Sequence, residues 1–412
     1  MSAREVAMSA KDATVGELPL QGIKVLDVST VLAAPVTSTF LGDFGADVVK
    51  VEEPKVGDFT RARASERGGR SLQWVQEGRN KRSITLDLRT AEGQALLRDL
   101  VPHFDVVVTN YRPPTLARWG MEPESLQKLN PKAVLVFLTG YGLTGPYSNR
   151  GAFDRVASSF AGLTHVSGEP DRDPVRSGYA VLDFMTAYMA AFSVVTALYH
   201  RDVKGGQGQI IDLALYEAGV RASEDAIIDF AATGTIRERL GNRNSYVVPA
   251  SDFTTADQRR VSVHAGTDTL FRKLVAVLGR PDLANDPRFQ TRAARTVHQD
   301  DLYPVIESWV ASYSAQDVVK LLNDAEIPAS LVMNVADICA DPHYRERGTL
   351  LTVNDEEHGE LTMVAPMPRM SATPGSVRTL GPSLGQHNDE IYGGILGLSS
   401  DEIRGLRERG VI

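Results

Sequence analysis

The chain of 412 residues contains a single cysteine, Cys339. That count excludes a disulfide framework and any cysteine-rich metal cluster, and Cys339, within VADICA, reads as a small core residue. No uncharged apolar run reaches the 18 or so residues that a bilayer-spanning helix needs, so neither a transmembrane segment nor a membrane partner is expected. Residues 1–17 are polar, mixed in charge and without the apolar stretch of a secretory signal, which reads as a flexible tail on a cytoplasmic protein. No G-x-x-x-x-G-K-[ST] is present, which excludes a P-loop. No H-E-x-x-H or paired His/Cys spacing points to zinc, so no metal site is expected. An excess of basic charge is missing as well. The net charge of −8 and the isoelectric point near 5.6 argue against a nucleic-acid partner. What remains, 42% hydrophobic and 23% charged residues, is the composition of a globular protein with a large core.

Short apolar strands alternate with helical stretches through the first half. Ile23–Val28, Asp47–Glu52, Arg82–Asp87, Asp105–Thr109 and Ala133–Phe137 read as strands. This alternation predicts βα units on an open, doubly wound parallel sheet. The pattern changes beyond residue 220, where a strand at Arg260–His264 is followed by helices near Thr269–Leu278, Asp301–Ser312 and Ser314–Ala325. The expected organisation is therefore a Rossmann-like α/β domain over 18–220 and a smaller α+β domain over 221–335. A C-terminal segment, 336–412, is expected to return to the large domain.

One stretch draws the rest around it. From Phe184 to Tyr199 there is no charge, and Ala, Met, Phe, Val and Leu fill nearly every position. A helix apolar on all sides belongs in a core. Asp183 stands directly ahead of it, where an aspartate is a favoured N-cap. The same position suits chemistry, because a helix N-terminus favours an ionised carboxylate and nucleophilic catalysis needs one. Lys204–Gly208 then turns the chain into a short strand at Ile210–Ala214.

Gly140–Gly145 (GYGLTG) matches G-x-G-x-x-G after a strand, which raises a nicotinamide-dependent oxidoreductase as an alternative. Its context is wrong: the third glycine opens no helix, the next helical pattern starting near Phe153, and no acidic strand end follows about 20 residues on. The glycines instead suit a loop that lets backbone approach a ligand closely. Arginines crowd the segment 61–82, and Arg112 and Arg118 follow the end of a strand; such forks fit phosphates.

The motifs in order resemble the family III CoA-transferases. They are LPLQGIKVLD at 18–27, AAP at 33–35, LGDFGADVVKVE at 41–52, Gly57-Asp58, NKRSITLD at 80–87, NYRP from Asn110, TGYGLTGP at 139–146, GQGQIID at 206–212, and LGQHN from Leu384 through the final GVI. The resemblance runs in register from about Leu18 to the end. It implies that Asp183 is the nucleophile, passing through an aspartyl anhydride and an aspartyl-CoA thioester. It implies CoA contacts at Leu32 and Ala33, at Leu86 and Leu88 beside the adenine, and at Asn110, Arg112, Arg118 and Tyr141. It also implies an interlocked homodimer, a CoA thioester as substrate and no permanently bound cofactor.

Departures from the family pattern fall at Glu53, Thr139 and Leu32. The 2-methylacyl-CoA racemases share the fold and use a histidine at the position of Phe153, whose ring cannot accept a proton. The expected function is transfer of CoA from an acyl-CoA, with succinyl-CoA one donor, to a small (di)carboxylic acid. Arg155, Arg176 or Arg243 is expected to hold the far end of that acid.

Overall fold

The computed structural model describes residues 18–412 apart from Ala64, Gly68, Ser245 and 356–358; the expected tail, 1–17, lies outside the described residues. The chain divides into two units. The first takes the residues up to Gly162, Ser177–Glu224 and His343–Ile412, and the second takes Leu163–Arg176 and Asp225–Pro342. The expected boundaries therefore need correction, because Leu163–Arg176 belongs with the second unit. Backbone bonding explains this: the Gly241 N–H donates to the Gly168 carbonyl at 2.9 Å, and such loop pairing leaves no apolar period to read.

In the first unit six strands form one parallel sheet: β1 (Lys24–Val28), β2 (Asp47–Glu52), β3 (Lys81–Thr85), β4 (Val106–Thr109), β5 (Val134–Thr139) and β6 (Ile210–Ala214). Their spatial order is β3–β2–β1–β4–β5–β6. Helices cover both faces of such a sheet, so its strands are continuous apolar runs; Val48, Val49, Val106, Val107, Val108, Val134 and Val136 are all buried. The order reverses between β1 and β4, and ligands of open α/β sheets bind at that crevice beyond the carboxyl ends of the strands.

Three carboxylates and three cations cluster around β1, β2 and β3, with Asp27 and Lys50 near the carboxyl ends of β1 and β2 and Lys81 at the amino end of β3. Asp27 on β1 pairs with Lys50 on β2 at 3.4 Å and with Lys81 on β3 at 3.1 Å. Asp27 and Lys50 face each other in register. Lys50 also meets Asp58 at 3.2 Å, and Glu52 binds Arg61 at 2.6 Å. Burial alone would raise the Asp27 carboxyl, but Lys50 and Lys81 outweigh it and hold it below the usual range. Burial likewise opposes charge on Lys50, and Asp27, Asp58 and Glu52 outweigh it. Lys50 Nζ further donates to the Ser29 carbonyl, and Lys81 Nζ to that of Pro35 at 2.6 Å. The cluster thus fixes the turn after β1 and the start of α1 (Ala33–Asp43).

The arginine crowding of segment 61–82 is accordingly structural in large part. Arg61 is held by Glu52, Arg79 by Asp43 at 2.7 Å, and Arg82 by Asp47 and Glu390. Of the C-terminal segment, His343–Ile412 belongs to this unit, whereas residues 336–342 fall in the second. Asn388 brackets Thr85, its Oδ1 accepting from the Thr85 N–H at 2.9 Å and its Nδ2 donating to Thr85 Oγ1 at 2.8 Å.

The central apolar helix is longer than its uncharged run. After the short helix α2 (Asp154–Phe160), α3 spans Val181–Val203, because Val181 to Asp183 and His200 to Val203 are helical too. Length and composition alone would let α3 cross a bilayer, yet Leu182, Thr186, Ala187, Ala190, Val194, Ala197 and Leu198 are buried in the fold. The opposite face corrects the expectation of burial all round. Tyr188, Val195 and Tyr199 are exposed there, as is Phe192 at 74%.

The second unit carries an antiparallel sheet of Ala250–Thr254, Arg260–His264 and Ala329–Leu331. Helices Asp268–Val277, Gln299–Val310 and Ala315–Asp324 cover a core that includes Phe271, Phe289 and Tyr303. Cys339 lies half-buried on the short helix Val335–Ala340 rather than in the core.

Removing one partner of a buried charge group leaves the others uncompensated, at a cost of about 3–5 kcal/mol. Asp27→Asn leaves Lys81 without a carboxylate partner and Lys50 with Asp58 alone. Its urea unfolding midpoint should fall by the equivalent of that loss; a change below about 1 kcal/mol, the level of an exposed pair, contradicts the account.

Candidate active site

Asp183 lies in the first turn of α3 and is half-buried. It is not the N-cap. That position falls on Ala180, which has no side chain to cap with. The N–H groups at the start of a helix need acceptors, and those of Leu182 and Asp183 find one in Asp154 Oδ2, at 2.9 and 3.2 Å. Asp154 begins α2 and comes from 28 and 29 residues earlier in the chain. Among the described residues, no group donates a hydrogen bond to the Asp183 carboxylate itself.

This arrangement decides the state of the carboxyl. Burial penalises the charged form, the neighbouring charge of Asp154 adds to the penalty, and Arg63 opposes both. Burial wins, and the Asp183 carboxyl is pushed up from 3.8 to about 7. A carboxylate without donors keeps its lone pairs free, and a proton affinity matched to neutral pH is characteristic of groups that react.

The turn that leads into α1 packs against the same end of α3. Leu32 and Val36 form an apolar cluster with Ala187, flanked by Val31, Ala180 and Phe184. Val31 adopts φ 69°, a left-handed conformation that costs a β-branched residue roughly 1–3 kcal/mol and persists where the surroundings over-determine it. Here they do. Lys50 holds Ser29 from below. Asn110, beyond β4, accepts from the Thr30 N–H at 3.0 Å and donates to its carbonyl at 2.7 Å. Asn110 therefore ties the two strand ends across the switch point, with both ends of its amide already engaged.

The other expected contacts fall into groups. Leu32, Ala33 and Asn110 come together at the switch point, beside the Asp183 turn. Tyr141 lies in a ring cluster with Tyr147, Phe160 and Tyr216, its centroid 5.1 Å from that of Phe160 at the end of α2. The glycine loop is held by Asp212, which accepts from the Leu143 N–H at 3.0 Å, while Gly142 supplies the φ of 84° that the turn requires. Arg112 and Arg118 are exposed at either end of the helix Pro113–Trp119, and Arg112 donates to the Asn149 carbonyl at 3.0 Å.

Leu86 and Leu88 are buried in the main core, the Leu86 N–H donating to the Glu52 carbonyl at 2.8 Å and the Leu88 carbonyl accepting from Gln94 Nε2 at 2.9 Å. Glu53 is paired with Arg89 at 2.8 Å. Phe153, at the racemase histidine's place, is exposed ahead of α2. A hollow of about 460 Å³ opens near Asp47, Lys81, Arg82 and Arg378, at the amino ends of β2 and β3, and Asp183 is not part of its wall.

Sequence reasoning missed Asp154, Val31 and Lys50 as parts of the site. Lys50 and Asp27 left a signal, a charge set at matching places in two apolar strands; Asp154 left none, because its partners are remote in sequence. The sequence also holds the spacing G-x-S-x-G at Gly381–Gly385. It lies in a loop, where Ser383 donates its N–H to Gln386 Oε1 at 2.9 Å, and not on the strand-to-helix elbow that exposes a nucleophilic serine.

A reactive carboxyl beside the switch point of a doubly wound sheet describes an α/β enzyme. Comparison with known proteins narrows this. Residues 20–388 match the model of CoA-transferase family III, and the chain belongs to that family. It is 40% identical to the succinyl-CoA–D-citramalate CoA-transferase of Chloroflexus aurantiacus, over 96% of this chain and 98% of that one. It is 33% identical to the succinate–glutarate CoA-transferase of Agrobacterium fabrum, over 90% and 94%. The crystal structure of a CAIB/BAIF family protein from Brucella suis superposes with a TM-score of 0.81 at 32% identity, covering 92% of this chain and 99% of that one.

The raised Asp183 carboxyl has a consequence for stability. Its folded value, about 7, exceeds the ordinary 3.8, so between those values the folded state keeps a proton that the unfolded chain releases. Stability is lost as pH rises through that window. The full shift is worth about 4 kcal/mol, and solvent around a half-buried group reduces this to about 1–2 kcal/mol. Asp183→Asn should therefore stabilise the protein at pH 8 relative to the wild type and lose that advantage towards pH 4. Equal differences at both pH values in urea unfolding contradict the assignment.

Proposed function

We propose that the protein is an acyl-CoA:carboxylate CoA-transferase that takes CoA from succinyl-CoA to a small dicarboxylic acid, with Asp183 as the covalent nucleophile. The observation that carries the reading is the Asp183 carboxyl, half-buried, without hydrogen-bond donors among the described residues and poised near neutral pH beside the switch-point turn. In its ionised form the carboxylate attacks the thioester carbonyl and expels CoA thiolate, leaving an aspartyl-acyl anhydride. The thiolate attacks the aspartyl carbonyl of that anhydride, releasing the first acid and leaving an aspartyl-CoA thioester. The acceptor carboxylate repeats the two steps in reverse and departs as the new thioester. One thioester and one carboxylate are present before and after, so the exchange needs no ATP.

The names of the relatives support the substrate class, since succinate or its CoA ester occurs in them with citramalate, malate or glutarate. Arg63, the cation whose field reaches Asp183, is assigned to the far carboxylate of the acid. Arg243 is committed to Asp300 at 2.6 Å. Leu32, Ala33, Asn110 and Tyr141 line the proposed CoA path, with Arg112 and Arg118 towards the phosphates and Leu86 and Leu88 beside the adenine. The exposed apolar face of α3, with Tyr188, Phe192, Val195 and Tyr199, supports a homodimer, which we take to be the interlocked one of a cytoplasmic enzyme.

Asp183→Ala should lower transfer from succinyl-CoA to glutarate, L-malate or citramalate by at least about a thousandfold, while calorimetry still detects CoA binding. Transfer retained by that variant would sink the assignment.

A further inference from the structure

We propose that Asp154 is a positioning residue for this transfer: one of its carboxylate oxygens takes the N–H groups of Leu182 and Asp183, fixing the turn that carries the nucleophile and setting a negative charge beside it. The inference rests on the reading of Asp183 as nucleophile and goes beyond it. Helix α3 has no cap of its own, as Ala180 has no side-chain acceptor. An acidic residue in a first turn is drawn to the positive end of its own helix, where it would accept the free N–H groups of that turn. Asp183 would then be tied down and stabilised as an anion. Asp154 Oδ2 already occupies the two relevant N–H groups, at 2.9 and 3.2 Å, so among the described residues the Asp183 side chain is left without a donor.

The charge environment supports the same role. The groups that act on the Asp183 carboxyl are Asp154, from α2, and Arg63, from the segment before β3. The other elements packed on α3 bring their charges elsewhere. Asp43, at the far end of α1, is held by Arg79. Asp212 on β6 binds the Leu143 N–H, and β5 carries no charge. On the helix Leu215–Arg221, Glu217 accepts from the Ala214 N–H, and Arg221 does not act on Asp183. Asp154 is thus the one acid that both caps the helix and acts on its reactive carboxyl.

The test separates capping from charge. Asp154→Asn keeps an acceptor oxygen for the two N–H groups but removes the charge, whereas Asp154→Ala removes both. The Asp183 carboxyl is titrated by carbon-13 NMR on aspartate-labelled protein, with Asp183→Asn to assign its signal, and aspartyl-CoA formation from succinyl-CoA is followed over the same pH range. In Asp154→Asn the melting temperature should stay near the wild-type value. The midpoint of the Asp183 carboxyl and the acid limb of the rate should both move down by about one pH unit. In Asp154→Ala the rate should fall at least about tenfold at every pH. An unmoved midpoint in Asp154→Asn, or a wild-type rate in Asp154→Ala, overturns the proposal. The titration needs no substrate. Thioester still formed by Asp183→Ala would instead remove the nucleophile reading, and silence of the wild type towards succinyl-CoA would remove only the donor.

Discussion

The turn from Ser29 to Leu32 depends on a group of charges buried beneath it. Asp27, Lys50 and Lys81 are almost wholly removed from water, an arrangement that is costly unless every charge is paired. They are paired, across three neighbouring parallel strands and the loop that carries Asp58. What the cluster provides is a fixed platform beneath the turn that follows β1. On it the chain holds Val31 in a conformation β-branched residues avoid, and Asn110 bridges the point where the strand order reverses. The apolar side of that turn, Leu32 and Val36, then meets α3 at Ala187. A chain of packed contacts therefore leads from a charge cluster in the sheet to the first turn of the helix bearing Asp183.

At that first turn four effects compete over one carboxyl. The positive end of a 23-residue helix and the Arg63 guanidinium favour its charge, whereas burial and Asp154 oppose it. Had the turn's N–H groups been free to bond Asp183, hydrogen bonding would have lowered the carboxyl well into the acid range. With those groups taken by Asp154, burial dominates. The outcome is a carboxyl partly ionised at neutral pH and, among the described residues, without a hydrogen-bond donor, which suits the proposed role of nucleophile.

Much of this was legible in the sequence, and the parts that were not share a cause. Strands Asp47–Glu52, Ile210–Ala214 and Arg260–His264 were readable to the residue, because apolar runs bounded by glycine or charge leave little choice. Asp183 was legible as the one acid ahead of a charge-free helix. The cap was not, since Asp154 reaches α3 through tertiary structure alone. Nor could the sequence tell that one face of α3 faces outward, because an apolar residue reads the same whether its own chain or another covers it. The hairpin from Leu350 to Val364 escaped notice because DEEHGE at its centre masks the alternation on either side. Leu86 and Leu88 came from family resemblance, which fixes positions and not which atoms face a ligand.

The central claim is that CoA becomes covalently attached to Asp183. The direct measurement is mass spectrometry of the protein after brief exposure to succinyl-CoA without acceptor, followed by peptide mapping. The account predicts a gain of one CoA less one water, located on the peptide containing Asp183, removed by hydroxylamine and absent in Asp183→Ala. A stable adduct on another residue, or unmodified protein while transfer to an acceptor proceeds at full rate, would contradict it.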